Sequence, residues 1–279
     1  MYSYMVSEGG YTLPNGKAVL SNLNFTVKSH EKTVILGANG SGKSTLLKAL
    51  GNQVRLTRGN VSLFDAPIVS WPKKQIHALV RPVDHAFKPS LFHRTIWEYI
   101  THFLIKQRLP KRDIEDKAKL LLCSVDLYDS RSEDMKYLSR TDIKKLQIAA
   151  ALCSNPKIML IDDPFIGLDA NGYSQISYLL ESLHLTGITI IVATHDVDFT
   201  AVWADSVIVL KDGGIVAAGT AELTVDQEVM ASAALRLPML SLPFTLMKNV
   251  RIARYPRTLQ ETVRLLYSLH TNQMMEENE

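Results

Sequence analysis

The segment GANGSGKST, residues 37–45, combines glycines, a lysine and hydroxyl side chains in an order suited to holding phosphate groups. Glycines let a backbone curl around an anion with its N–H groups pointing inward. Lys43 supplies a cation that can reach the β- and γ-phosphates of a nucleotide, and the Ser44 hydroxyl can ligate Mg²⁺. We therefore expect the loop and its first helical turn to bind ATP through Asn39, Gly40, Gly42, Lys43, Ser44 and Thr45.

The elements on either side of this loop also suit phosphate binding. The apolar strand TVIL precedes the loop, and the segment KSTLLKAL opens a helix after it. This is the strand–loop–helix setting of the G-x-x-x-x-G-K-[ST] motif, in which the helix dipole favours a bound anion. A chance Gly-rich turn is the alternative, and the complete motif in this setting argues against it.

Two carboxylates follow a second buried strand, in IMLIDDP. Asp162 at the strand end can hold Mg²⁺ through water, as in other ATPases with this loop. Asp163 comes next and would face an attacking water molecule. A single Asp after a strand is more ordinarily a turn residue or a helix cap, but its pairing with the upstream loop favours the metal. We therefore predict Ser44 and Asp162 as magnesium ligands and Asp163 as a catalytic residue.

Apolar strands alternate with helices along most of the chain. Continuous strands such as TVILG, IMLID and SVIVL, separated by helical stretches, predict an α/β fold with a mainly parallel sheet covered on both faces. From about 84 to 152 the spacing becomes helical, for example at Ile96, Ile100 and Phe103. We expect a nucleotide-binding domain over 1–224 with a helical subdomain at 84–152, followed by a small C-terminal appendix over 225–279.

Composition narrows the class of protein. The net charge of +3 is nearly balanced and gives no reason to expect a nucleic-acid partner. No stretch reaches the length of apolar sequence that spans a membrane, and the N-terminus does not read as a secretory signal. Cys123 and Cys153 have no metal-ligand spacing, so we expect both to be small buried residues in a reducing compartment.

In order and spacing, these motifs resemble those of the ATP-binding-cassette (ABC) ATPases. The resemblance covers about 5–220 and rests on Tyr11, GANGSGKST, LSRTD (138–142), IMLIDDP, GLD (167–169) and THD (194–196). It implies that Tyr11 stacks on adenine, that His195 contacts the γ-phosphate, and that Ser139 belongs to the signature motif, LSGGQ in the family. Within the family, YTLPNG and the segments after residue 194 look most similar to the ATPases of cobalt and energy-coupling-factor vitamin importers.

The resemblance also implies partners. Two cassettes pack head to tail, and each nucleotide lies between the loop of one and the signature helix of the other. The chain would hydrolyse ATP to energise an importer, bound peripherally at the cytoplasmic face of the cell membrane. Its partners would be polytopic membrane proteins and either a second ABC ATPase or a second copy, with the appendix as a possible dimerisation region. Trp97, Tyr99 and Phe103 are candidates for the groove that receives the membrane protein.

Three positions depart from the family pattern. Arg140 and Thr141 replace the signature glycines, and Ser139 with Asp142 forms a plausible helix-capping box that need not touch ATP. Asp163 replaces a catalytic Glu and is one methylene shorter. Arg81 and Pro82 stand in the loop expected after HALV, where the family has a Gln that senses Mg²⁺ and the membrane partner. These changes favour a heterodimer with a second ATPase that carries an intact LSGGQ motif and a catalytic Glu. The alternative is a soluble cassette that uses ATP binding as a regulatory switch.

Overall fold

The computed structural model describes residues 1–83, 94–247, 252 and 254–276, with side chains up to His270. Two sheets and the helices around them make up this part of the chain. In chain order the strands are β1 Tyr2–Thr12, β2 Ala18–Lys28, β3 Lys32–Gly37, β4 Arg58–Leu63, β5 Ala66–Pro67, β6 Val80–Val83, β7 Ile158–Asp162, β8 Thr189–Thr194, β9 Ser206–Lys211 and β10 Gly214–Thr220. The α-helices are α1 Lys43–Leu50, α2 Lys73–Leu79, α3 Ile96–Ile105, α4 Lys111–Ser124, α5 Arg140–Leu152, α6 Ala170–Leu185, α7 Val197–Trp203, α8 Gln227–Ser232, α9 Leu242–Thr245 and α10 Leu259–Glu276.

The larger sheet has six strands in the order β10-β9-β3-β8-β7-β6. All neighbouring pairs are parallel except β9 and β10. This confirms the predicted mainly parallel sheet of an α/β fold. A second sheet of four antiparallel strands, in the order β2-β1-β4-β5, is built from the N-terminal part of the chain.

Alternation along the parallel strands divides the hydrophobic core into two. In β7, Met159 and Ile161 belong to the cluster that includes buried residues of α3–α8. Ile158 and Leu160 point the other way, into a cluster shared with α1 and the antiparallel sheet. Because successive side chains of a strand face opposite sides, a wholly apolar strand requires cover on both faces, and it has it here.

The helical stretch predicted after residue 84 contains α3, α4 and α5. Thr95 and Glu98 form a complete capping box that begins α3. Ile96 and Ile100 are buried as their spacing predicted, whereas Phe103 is only partly buried against the same cluster. Trp97 and Tyr99 are likewise partly buried there. No helix among the described residues is both long enough and apolar enough to cross a membrane.

Two expectations were wrong in this region. Arg81 and Pro82 lie inside β6 rather than in a loop, and Pro82 is tolerated because β6 is the edge strand of its sheet. β6 ends at Val83, and residues 84–93 lie outside the described residues. Cys153 is buried, but Cys123 is exposed because α4 turns another face to the core.

The segment after α8 is held by hydrogen bonds against α7, the helix that follows His195. Arg236 forms a hydrogen-bonded ion pair with Asp198 of α7. The backbone N–H of Met239 donates to the same carboxylate, to Oδ1, at 2.7 Å. Further on, Ser241 Oγ donates to the carbonyl of Pro256 at 2.7 Å, which ties the segment before α10 to the same body.

Tyr4 links the antiparallel sheet to the end of α1. Its hydroxyl donates to the carbonyl of Leu50 at 2.9 Å, and burial raises the pKa of the phenol. We expect Tyr4→Phe to lower the free energy of unfolding by about 1–3 kcal/mol, because a buried helix-end carbonyl would lose its donor. Urea unfolding would measure this. Tyr178→Phe, at an exposed position on α6, should change stability by less than about 0.5 kcal/mol. Equal effects of the two variants would contradict the assignment.

Candidate nucleotide-binding site

The loop between β3 and α1 curls through two glycines with positive φ. Gly40 has φ 84° and Gly42 has φ 103°, a conformation that glycine adopts without steric cost. Gly42 also lies against β2, since a Cβ there would come within 2.8 Å of Leu20 Cδ2. The loop can adopt this conformation because Gly40 and Gly42 tolerate positive φ and because Gly42 leaves room for β2.

Lys43, the first residue of α1, points back into this loop. Its ammonium donates to the carbonyls of Gly37 at 2.9 Å and Ala38 at 3.1 Å, and the residue is 5% exposed. Burial lowers the pKa of Lys43, and the charges of Asp163 and Asp162 oppose that shift. A buried ammonium that donates to carbonyl oxygens is well placed to bind an anion that enters the loop.

Ser44 and Asp162 lie in contact although they are far apart in sequence. Ser44 Oγ donates to Asp162 Oδ1 at 3.0 Å, and Asp162 is 5% exposed. A hydroxyl and one carboxylate suit Mg²⁺, which is usually bound by one or two protein ligands together with substrate phosphates and water. The described residues contain no group of three or more His, Cys, Asp or Glu that could hold a metal on its own. The donor set therefore fits a magnesium ion carried with a nucleotide.

Asp163 and His195 form a second pair beside the first. Asp163 has φ 38°, and its N–H donates to the carbonyl of Ala193 at 2.8 Å. Its Oδ1 is 3.4 Å from His195 Nδ1, too far for a good hydrogen bond, so this buried oxygen has no hydrogen-bond partner among the described residues. A cavity of about 830 Å³ opens in front of both side chains. A carboxylate with a free acceptor can orient or deprotonate water.

Tyr11 lies on the strand pair that contacts the loop. It pairs with Leu20 across β1 and β2, and Leu20 is the residue packed against Gly42. Its ring is half-buried against the core beneath the antiparallel sheet. Tyr11 is therefore connected to the phosphate loop through Leu20 of β2.

Ser139 lies at the start of α5, and its hydroxyl is used within that helix. It accepts from the N–H of Asp142 at 3.1 Å and donates to Asp142 Oδ2 at 2.6 Å. This is half of the predicted capping box, because the Asp142 side chain binds the serine hydroxyl rather than the serine N–H.

The two residues that replace the signature glycines fold onto glycines elsewhere in the chain. A Cβ on Gly167 would lie 2.1 Å from Arg140 Nη1, and one on Gly172 would lie 2.2 Å from Thr141 Oγ1. Gly167 has φ 73° and Gly172 is in the first turn of α6. The side chains of Arg140 and Thr141 thus occupy space that is free because Gly167 and Gly172 have no side chains.

Sequence reasoning missed the turn between β9 and β10 as part of this site. The N–H of Gly213 donates to the carbonyl of Ser41 at 3.1 Å, which braces the phosphate loop from outside. Gly213 has φ 81°, and a Cβ there would come within 2.2 Å of the Val19 carbonyl. The KDGG sequence did signal a tight turn, but nothing in it indicated which loop the turn contacts.

A strand–loop–helix around a buried lysine, next to a serine–aspartate pair at the end of a parallel strand, defines a P-loop ATPase. The family model for ABC transporters matches residues 20–166, which is more than half of the chain. The chain therefore belongs to the ABC transporter family, as one of its ATPases.

Curated relatives and solved structures extend this assignment. The chain is 36% identical over 242 residues to the energy-coupling factor transporter ATP-binding protein EcfA of Methanocaldococcus jannaschii, covering 85% of this chain and 86% of that protein. It is 34% identical to EcfA of Carboxydothermus hydrogenoformans, covering 81% and 84%. The structure of cbiO1 from Clostridium perfringens, described as part of the ABC transporter complex cbiONQ, superposes with a TM-score of 0.76 at 28% identity, covering 88% of this chain and 99% of that one.

Proposed function

We propose that this chain is the ATP-hydrolysing subunit that energises an importer of the energy-coupling-factor type for a vitamin or metal ion. The observation that carries the proposal is the 3.0 Å contact of Ser44 with Asp162 beside the buried Lys43 ammonium, an arrangement that suits MgATP. The similarity to EcfA proteins over most of the chain supports the importer.

Each candidate residue has a role in this proposal. Lys43 binds the β- and γ-phosphates, together with the backbone N–H groups of the loop and the residues Asn39, Gly40, Gly42 and Thr45. Ser44 and Asp162 hold Mg²⁺, which when bound neutralises charge on the phosphates. Asp163 orients the attacking water and His195 contacts the γ-phosphate, which the 3.4 Å spacing of the pair supports. Tyr11 stacks on adenine.

The partner in the proposal is a second ABC ATPase with an intact signature motif. The start of α5 supports this, because the Ser139 hydroxyl is bound to Asp142 and the Arg140 side chain lies over Gly167. A helix start arranged in this way is poorly suited to a partner's γ-phosphate. In a homodimer both nucleotide sites would carry this weakness together with the shorter Asp163, whereas in a heterodimer the two changes fall in different sites.

The proposal places the chain on the cytoplasmic face of the membrane, bound to a polytopic transport protein. Its nucleotide-binding domain is 1–224 with the helical subdomain near 84–152, and the appendix over 225–279 is a possible dimerisation region. Exposed apolar residues of the appendix support such contacts, among them Leu246, Leu259 and Tyr267. The half-buried aromatic residues of α3 are candidates for the surface that receives the membrane protein.

A second function has one observation in its favour. Since the Ser139 hydroxyl already caps α5, the chain would also suit a soluble cassette that binds ATP as a regulatory switch without hydrolysing it efficiently. That protein would need neither a second ATPase nor a membrane partner.

Purification of the tagged chain from detergent-solubilised membranes separates the two functions. We expect a second cassette ATPase and a polytopic membrane protein to copurify, and the complex to hydrolyse MgATP. Recovery of this chain alone from the soluble fraction would overturn the importer assignment in favour of the switch. A complex in which this is the sole ATPase, hydrolysing ATP at ordinary importer rates, would overturn the heterodimer.

A further inference from the structure

The turn that carries His195 is held from outside by a tyrosine of α6. Tyr173 lies in the first turn of that helix, which begins where Asp169 accepts a hydrogen bond from the N–H of Gly172 at 2.7 Å. The Tyr173 hydroxyl donates to Oδ2 of Asp196, the residue after His195, at 3.0 Å. Burial, followed by the nearby charge of Asp196, raises the pKa of the phenol, so the hydroxyl stays protonated and acts as the donor.

The other hydrogen bonds of Asp196 among the described residues stay within 194–200. Its N–H donates to Thr194 Oγ1 at 3.2 Å, and its Oδ1 accepts from the N–H of Phe199 at 3.0 Å, which caps α7. These local bonds set the shape of the turn around His195. The bond from Tyr173 instead fixes where that turn lies relative to α6, because its donor is 23 residues away along the chain.

The Tyr173 ring is itself held beside Asp163. It packs on Phe165, two residues after Asp163, with ring centroids 4.4 Å apart. Phe165 in turn packs on Phe199 of α7, with ring centroids 4.6 Å apart. Tyr173, Asp163 and His195 line the same cavity of about 830 Å³. The Tyr173 side chain therefore connects the chain that follows β7, where Asp163 lies, with the chain that follows β8, where His195 lies.

We propose that Tyr173 is a positioning residue for ATP hydrolysis, which acts through Asp196 to hold the His195 imidazole beside Asp163. The inference rests on the proposed roles of His195 and Asp163 in the nucleotide site. Without the hydroxyl, the Asp196 carboxylate keeps its bond to α7 but loses its bond to α6, so the turn around His195 can shift. A displacement of about 1 Å can lower a rate on the order of a hundredfold, and a smaller shift costs less.

Tyr173→Phe tests this, because it keeps the packed ring and removes only the hydroxyl. We expect it to lower kcat for MgATP hydrolysis about tenfold and to leave KM for ATP within about twofold, since the phosphate loop is not changed. The rate is measured in the complex in which the chain is purified, with any partner ATPase inactivated at its loop lysine. Tyr178→Phe is the matched control, an exposed tyrosine on the same helix, and it should keep the wild-type kcat.

A double variant shows whether the hydroxyl acts through His195. Residues that act as a unit have non-additive effects on rate. Adding Tyr173→Phe to His195→Ala should therefore change the single-turnover rate by less than about twofold. An equal fold-loss with and without the histidine would give Tyr173 an effect independent of His195 and would overturn the inference.

The remaining outcomes separate this inference from the proposed function. An unchanged kcat for Tyr173→Phe, with His195→Ala strongly impaired, would overturn the inference and leave the proposed role of His195 intact. A KM that rises as much as kcat falls would show a general disruption of the site and would also overturn it. A wild-type rate for His195→Ala would overturn the proposed role of His195, and the inference with it.

Discussion

Lys43→Ala is expected to reduce MgATP hydrolysis by at least about a hundredfold, the scale of losing one preorganised electrostatic contact to a transition state. The ammonium is buried among loop carbonyls with no acidic side chain hydrogen-bonded to it in the described structure. Burial of a charge in that position carries a desolvation penalty, which the lowered pKa of Lys43 reflects. Phosphate oxygens that enter the loop would offset this penalty.

The measurement needs both rate and binding. Hydrolysis is followed in the purified complex after inactivating the partner ATPase at its own loop lysine, and ATP affinity is measured by calorimetry. Lys48→Ala is the matched control, because Lys48 lies on the same helix but is exposed. It should retain the wild-type rate. If Lys43→Ala hydrolysed ATP at half the wild-type rate or more, the loop would not be the site of phosphate binding.

The strand–loop–helix around Lys43 could be predicted because local rules decide it. Glycines at the turn, an apolar strand before it and good helix formers after it all specify the same local structure. The parallel sheet followed from continuous apolar strands, which only a sheet covered on both faces can bury. Each of these inferences uses neighbouring residues, and the structure agrees with them.

Sequence reasoning failed for residues whose surroundings depend on distant parts of the chain. Pro82 argues against a strand, yet it lies in β6, because a strand at the sheet edge can lack one ladder hydrogen bond. The sequence also could not show that the side chain of Arg140 lies over Gly167, a contact that depends on how α5 meets the loop before α6. Helical spacing likewise could not show that Cys123 faces solvent.

We propose that Asp163 orients the water molecule that attacks the γ-phosphate. Its Oδ1 is buried without a hydrogen-bond partner among the described residues, and His195 is 3.4 Å away. An unsatisfied carboxylate oxygen costs stability, and a role toward a ligand or water explains its presence. The positive φ of 38° also favours aspartate over glutamate, because short polar side chains tolerate the left-handed region best. The shorter carboxylate of aspartate thus fits this backbone conformation, but it extends less far toward the attacking water than a glutamate would.

Asp163→Asn is expected to lower kcat for MgATP hydrolysis by at least about a hundredfold, because the amide cannot accept a proton from water. Asp163→Glu should act in the opposite direction, with an increase of up to about a hundredfold, since one methylene restores roughly the 1 Å by which the aspartate falls short.

The rates of both variants are measured in the complex whose partner is inactivated at its loop lysine. Asp65→Asn is the control, an exposed aspartate with φ 63° in the turn between β4 and β5. An unchanged rate for Asp163→Asn would exclude Asp163 as the residue that activates water. A fall in rate for Asp163→Glu, with Asp163→Asn inactive, would mean that the site is built around the shorter side chain.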